Sequence, residues 1–284
     1  MNQYTYHTTV LNADGDFRRM IKPSALFRYV EQAAADHARA YGMDDAFFKA
    51  HHTAFLVGKQ ALRFSRVPRR GETLTLCSRS EKALRGSIKR VTTLTDEAGQ
   101  EVAMVDSRWI MSSLENGHIL RQPGWTVEGY WNETVKEELP LLLHKRRDSL
   151  TSAGLFTARY SQCDLHYHIN NAFYLDIVCD ALPLEIMRDH VVKFASINYH
   201  REVPMGQQVE VFYAPSDEAG TLLPSARTKR LSSAIWSWSR SNSKRPKEKC
   251  LCPKLENCSA PFLRSVPLPL AAAMPWWRCW NTNL

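Results

Sequence analysis

The chain has 284 residues, of which 44% are hydrophobic and 23% charged, the balance of a globular protein long enough for one large or two small cores. No run of about 18 apolar residues occurs, which argues against a helical membrane span; Met1 to Val10 is polar and alternating, without a signal-peptide core, so a cytoplasmic location is expected. The net charge is +8, but +7 of it falls after Ser216, so the basic excess belongs to a tail and does not point to nucleic acid.

Taken in order, Tyr4 to Val10 alternates as a strand. Pro23-Ser24-Ala25-Leu26 opens a long helix in which Leu26, Tyr29, Val30, Ala33, Ala34 and His37 recur near 3.6 residues, and Gly42 ends it. Strands follow at 54–64, 73–80, 87–95 and 101–112, and Asp96-Glu97-Ala98-Gly99 reads as the hairpin turn between the last two. A second, shorter series has strand 155–161, helix 170–182 and strands 193–199 and 208–213. An internal repeat relates the two series. Arg66-Val67-Pro68-Arg69-Arg70-Gly71 parallels Arg201-Glu202-Val203-Pro204-Met205-Gly206, each followed by an alternating strand. With the Val-Pro pairs aligned, the second copy inserts Glu202 where the first has nothing. Periodicity alone indicates helices packed on antiparallel sheet, an α+β arrangement.

The expected organisation is 1–120 for the first half, 121–151 for a linker, 152–216 for the second half and 217–284 for an atypical basic tail. The linker holds Pro123-Gly124, Pro140 and the run His144-Lys145-Arg146-Arg147-Asp148. The tail carries five of the eight Trp and four of the seven Cys, and residues 236–247 show neither helical nor strand periodicity. The abrupt change of composition suggests a shifted reading frame from about Ala219-Gly220, which would leave the second half without its last strands; the alternative is a genuine variable tail.

The chemistry concentrates in Cys163-Asp164-Leu165-His166-Tyr167-His168-Ile169-Asn170-Asn171, just ahead of an apolar helix. An imidazole with an unperturbed pKa of about 6.5 exchanges protons near neutrality. Asp164, four residues before His168, is placed to orient it. Glu202, at the end of an alternating strand, is a second candidate base. Backbone N–H groups at Asn170 or Asn171, at a helix start, suit a developing oxyanion. The bland alternative is that Asp164, His168 and the two Asn only cap the helix, and that Glu202 pairs with Arg201. Cys163, His166 and His168 lack the second ligand pair of a zinc site. Cys250, Cys252 and Cys258 have no His companions, and most of the seven cysteines are expected to be reduced. There is no Gly-rich phosphate loop, dinucleotide fingerprint or Gly-x-Ser-x-Gly elbow.

These residues resemble the acyl-acyl-carrier-protein thioesterases of plants and bacteria, whose motif reads Asp-x-Asn-x-His-Val-Asn-Asn. Asp164, His168 and Ile169-Asn170-Asn171 fall on that pattern, and Tyr199-His200-Arg201-Glu202 matches the family's Tyr-x-Arg-Glu segment. His166 stands where the family has Asn, and Val203 where some members have Cys. The resemblance runs from about Tyr4 to Tyr213.

It implies a tandem, or double, hot-dog fold, whose second half a shifted frame would leave incomplete. It also implies hydrolysis of fatty acyl-acyl-carrier-protein to free fatty acid, ending chain extension, with Asp164, His168 and Glu202 acting together and the family Asn position, His166, in the site. The implied partner is acyl carrier protein bearing a phosphopantetheine-linked acyl chain, with no metal and no other cofactor, and it leaves room for a homodimer. Lys145, Arg146 and Arg147 are candidates to steer the acidic carrier. An apolar tunnel beside Leu26, Tyr29, Val30 and Ala33 would hold the chain, unless those residues are plain helix core. A hot-dog acyl-CoA thioesterase and an inactive acyl-binding protein are the alternatives.

Overall fold

The computed structural model describes residues 2–141, 151–213, 225–226 and 232–240. In chain order the first half runs β1 (Tyr4–Thr9), α1 (Pro23–Ala40), α2 (Asp45–Ala50), β2 (Thr53–Phe64), β3 (Thr73–Ser80), β4 (Ser87–Thr95), β5 (Glu101–Ser113) and the short β6 (Ile119–Leu120). The second runs β7 (Thr151–Thr157), α3 (Tyr174–Asp180), α4 (Leu184–Asp189), β8 (His190–Tyr199), β9 (Gln208–Tyr213), β10 (Ser225–Ala226) and β11 (Ser232–Arg240). No helix among the described residues is long and apolar enough to cross a membrane.

Local chemistry sets the first helix. Pro23 occupies its first turn, where a missing N–H costs nothing. Ala25, Leu26, Phe27, Tyr29, Val30, Ala33 and Ala34 form the buried stripe. Past its end, Gly42 takes φ +79°, and its N–H bonds the Arg39 carbonyl at 2.9 Å. The β4–β5 turn is held by Asp96, whose Oδ1 accepts from the N–H groups of Ala98 (3.1 Å) and Gln100 (3.0 Å), while Gly99 supplies φ +75°.

The strands form one sheet in the order β1-β3-β4-β5-β2-β8-β11-β10-β9-β7, with β6 on β5. Each half thus follows the same order from its outer edge inward. The halves meet where β2 and β8 pair antiparallel, from Lys59 opposite Asn198 to Arg63 opposite Phe194. One core unites α1 and α3 with this sheet, and includes Leu26, Leu62, Leu94, Leu175, Ala195 and Ile197. This is the double hot-dog, with the shorter helix and shorter strands in the second half.

Two features differ from the sequence reading. The second-half sheet continues through β10 and β11, beyond the boundary at residue 216, so composition placed that boundary too early. The segment read as a linker is, as far as Leu141, packed against the first half. Trp125 and Tyr130 join Ala38, Met43, Ile88 and Met111, while Val135 and Leu139 cover Ala61, Val91 and Met104. Those last three alternate with the α1-facing residues of their strands, so the segment covers the other sheet face. The run 144–148 lies outside the described residues, as does the tail beyond Arg240.

The loop between first strand and helix is duplicated in its backbone-to-backbone hydrogen bonds. In the first half, Asp16 N–H bonds Met20 C=O (2.7 Å), Arg19 N–H bonds Asp16 C=O (2.9 Å), and Ile21 N–H bonds Pro68 C=O (2.9 Å). In the second, Asp164 N–H bonds His168 C=O (3.0 Å), Tyr167 N–H bonds Asp164 C=O (3.1 Å), and Ile169 N–H bonds Val203 C=O (3.0 Å). Arg19 and Tyr167 share the left-handed conformation, at φ 63° and 62°. Pro68 therefore matches Val203, and Glu202 occupies the place of Val67. Glu202 is a replacement within an ungapped repeat, not the insertion that aligning the Val-Pro pairs suggests.

Candidate active site

The second-half copy of this loop gathers the titratable groups. His168 is anchored by its backbone between Asp164 and the strand segment at Pro204. Its ring is mostly covered, with Nε2 3.5 Å from Glu202 Oε1 and Nδ1 3.8 Å from Asp164 Oδ1. Nδ1 also lies 3.2 Å from the Ile169 carbonyl. With a proton on Nδ1, that carbonyl accepts it and Nε2 is left as the acceptor facing Glu202. Asp164 Oδ1 takes a hydrogen bond from the His166 N–H at 2.9 Å. The carboxylate is thereby tied to the loop that carries both imidazoles. Asp164, His168 and Glu202 are brought together.

His166 is exposed and stacks on His168, ring centres 5.7 Å apart and 20° from parallel. Asn170 does different work from that expected. The Asn170 N–H is taken by the Gln162 carbonyl (2.9 Å), and its Oδ1 caps the Ala172 N–H (2.9 Å). Asn170 therefore has no backbone donor left for an oxyanion; it is a cap. The Asn171 carbonyl lies 3.0 Å from the Tyr199 hydroxyl, which is also 2.9 Å from Gln60 Oε1. Tyr199 thus ties the helix start to the seam strand β2.

Glu31 joins this group of residues and was missed by the sequence reading. It projects from α1 of the first half, and both carboxylate oxygens lie 3.3 Å from Asn170 Nδ2. Burial raises its pKa above the usual glutamate range and the nearby Asp164 adds to the rise, partly offset by the Asn170 hydrogen bond. The one available sequence signal was a carboxylate beside the apolar stripe of a helix otherwise read as core. The hydroxyl of Tyr174 is likewise pushed up, by burial and then by the Glu202 charge.

The site opens on a cavity of about 500 Å³ between α1 and the first-half sheet. Glu31, Leu165 and His166 lie at its boundary with the loop, and Ala34, Ala38, Met43, Phe48, Phe55, Ile88 and Trp109 give it apolar walls. Leu26, Tyr29, Val30 and Ala33 do not line it. They occupy the neighbouring stripe of α1 and are buried in the shared core. The 3.6-residue period finds the inward stripe but does not separate core from cavity wall. Among the described residues no group of three or more His, Cys, Asp or Glu side chains is arranged to hold a metal.

The model of the acyl-ACP thioesterase N-terminal domain matches residues 1–126, and that of the C-terminal domain matches residues 145–238. The second match passes the point near 219–220 where composition changes. Among curated proteins, the chain is 21% identical over 193 residues to an acyl-[acyl-carrier-protein] hydrolase of Cuphea viscosissima, covering 62% of this chain and 46% of that one. It is 23% identical over 214 residues to a dodecanoyl-[acyl-carrier-protein] hydrolase of Cinnamomum camphora, covering 69% and 56%. The chain spans about half the length of these relatives. An acyl-ACP thioesterase structure from Bacteroides thetaiotaomicron VPI-5482 superposes with a TM-score of 0.75 at 18% identity, over 84% of this chain and 98% of that one. The 12:0-ACP thioesterase of Umbellularia californica gives 0.68 at 15% identity, over 84% and 98%. With two consecutive domain models and a matching double hot-dog, the chain belongs to the hot-dog thioesterase superfamily that contains the acyl-ACP thioesterases.

Proposed function

We propose that the protein hydrolyses the thioester of fatty acyl-acyl-carrier-protein, releasing free fatty acid. The observation that carries this reading is His168, flanked by Asp164 and Glu202, on a loop that borders a largely apolar cavity. The acyl chain enters the cavity and the thioester carbon stops beside His168. Water attacks that carbon and gives up a proton to the Glu202–His168 pair; the 3.5 Å gap shortens as the pair closes on the water. The C–O bond forms, the carbonyl becomes an oxyanion, and collapse breaks the C–S bond. The thiolate leaves as the pantetheine thiol after taking the proton from His168. Asp164 fixes the loop that carries His168.

The carrier fits this scheme because both domain models and the curated relatives are described as acting on acyl carrier protein. The assay is free-thiol release from palmitoyl-carrier protein. Wild type is expected to release thiol, with Asp164→Ala and Glu202→Ala each about 100-fold slower, the usual size of a general acid–base contribution. Turnover unchanged in both variants would overturn the assignment.

His166 favours a second reading, an acyl-binding protein without turnover, since an imidazole replaces the fixed carbonyl and amide of Asn. Folded wild type that binds palmitate but releases no thiol would support it, most directly if His166→Asn restored release.

A further inference from the structure

Arg90, on β4, is a buried cation without a counterion among the described residues. It is 4% exposed and lines the cavity. Its hydrogen-bond partners are all neutral. They are Ser78 Oγ at 2.9 Å, His37 Nδ1 at 3.1 Å and the Tyr130 hydroxyl, whose ring the guanidinium also overlies at 5.7 Å. His37 stays uncharged here, because burial and the Arg90 charge hold its pKa down at about 3. A desolvated charge without an opposite partner is costly and is normally paired.

A second polar group at the same place also lacks a partner. Ser80 is the register partner of Arg90 across β3 and β4, is fully buried, and lines the same cavity. Its hydroxyl has no hydrogen-bond partner. A guanidinium and a free hydroxyl side by side on a cavity wall are complementary to a carboxylate. The other charged lining residues, Arg39, Asp44, Asp45 and Lys49, are exposed on the helices, and Glu31 belongs to the loop end of the cavity. Helix α1 measures the separation. Glu31 touches Asn170 of the reactive loop and His37 touches Arg90, and six residues of helix advance roughly 9 Å.

We propose that the cavity selects acyl chains that carry a carboxylate at the end remote from the thioester, received by Arg90 and Ser80. This rests on the cavity being the acyl site of the proposed hydrolase and narrows its substrate class. It makes Arg90 a specificity-determining residue. A plain alkyl chain would fill the apolar walls but leave both groups unpaired, whereas an α,ω-dicarboxylic chain of matching length satisfies them together.

The test is binding of free acids to the full chain by calorimetry, pairing suberate, sebacate and hexadecanedioate with monocarboxylates of equal length. Each pair shares the head carboxylate, so the difference reports the far end. At the matching length the dicarboxylate is expected to bind at least about tenfold more tightly. Arg90→Gln should bring the pair level, while Arg90→Lys should keep part of the preference. Equal affinities, or tighter monocarboxylate at every length, in folded wild type overturn the proposal. So does a preference that survives Arg90→Gln. The wild-type comparison decides even where an Arg90 variant does not fold. Thiol release from the corresponding carrier thioesters separates the two readings. Dicarboxylate preference without release upholds the cavity assignment and removes the hydrolase, and release without chain preference does the reverse.

Discussion

Glu31 connects the two halves at the level of single side chains. Its carboxylate holds the Asn170 amide, and Asn170 Oδ1 caps the helical turn that begins just after the Asp164–His168 loop. Glu31→Gln keeps an acceptor for the Asn170 amide, so thiol release should stay close to wild type. Glu31→Ala leaves that amide unpaired and lets the loop shift; a loss of about tenfold or more is expected, since small misplacements are amplified in rate. Stability gives a separate readout. The folded pKa is raised, first by burial, so the carboxyl favours folding below about pH 4.5 and that contribution is lost as pH rises through the folded value. Glu31→Gln should therefore be at least as stable as wild type at pH 7 in urea melts, with the comparison moving toward wild type at pH 4. A neutral-pH destabilisation of the Gln variant would show that the charge itself supports the fold. The motif residues were legible in sequence because Asp164, His168, Asn170 and Asn171 lie within eight positions. Glu31 was not, because its contact joins residues 139 positions apart.

At the scale of elements, the repeat explains why the titratable cluster lies in one half. Both halves build the same loop with a left-handed residue at the same position, and differ in what fills it. Met20 stands where the second half has His168, and Val67 where it has Glu202. The sequence showed the repeat through its Val-Pro pairs, yet those pairs are out of register by one residue. Hydrogen bonds to Pro68 and Val203 fix the true pairing, and strand register is not visible in a linear alignment of so short a match. The seam gives the element-scale prediction. Leu62 of β2 is fully buried and faces Ala195 of β8 across the join. Leu62→Ala removes contacts from a core shared by both halves and should cost about 2–5 kcal/mol. Unfolding should remain one transition at a lower urea midpoint, followed by tryptophan fluorescence and circular dichroism. Two separated transitions would mean that the halves fold independently despite the continuous sheet.

For the whole molecule, the helix-and-sheet order of the first half was readable because its long elements keep their periods. Strands 73–80 and 87–95 fall where the alternation puts them. The second half was harder to read, since α3 is only seven residues long and β10 only two, too short for a period to emerge. The linker escaped because its anchors, Trp125, Tyr130, Val135 and Leu139, follow neither period while packing into two separate clusters. The cluster around Tyr130 also sets how stability should respond to acid. His37 is fully buried, enclosed by Tyr4, Tyr41 and Tyr130, with Arg90 as the charged neighbour. Burial, then the Arg90 charge, lowers its pKa to about 3 from an ordinary 6.5. The unfolded chain therefore takes up a proton that the folded chain refuses, and stability falls as pH drops from about 6.5 toward 3. The limiting slope is about 1.4 kcal/mol per pH unit. Glu31, with its raised pKa, works in the opposite sense over the acid end of this range. His37→Gln isolates the histidine, since glutamine still offers Arg90 an acceptor and does not titrate. The difference in unfolding free energy between wild type and His37→Gln should shift against wild type between pH 7 and pH 5. A difference that is flat over that interval would mean that His37 takes up its proton alike in the folded and unfolded chains, and a shift in favour of wild type that it is protonated when folded.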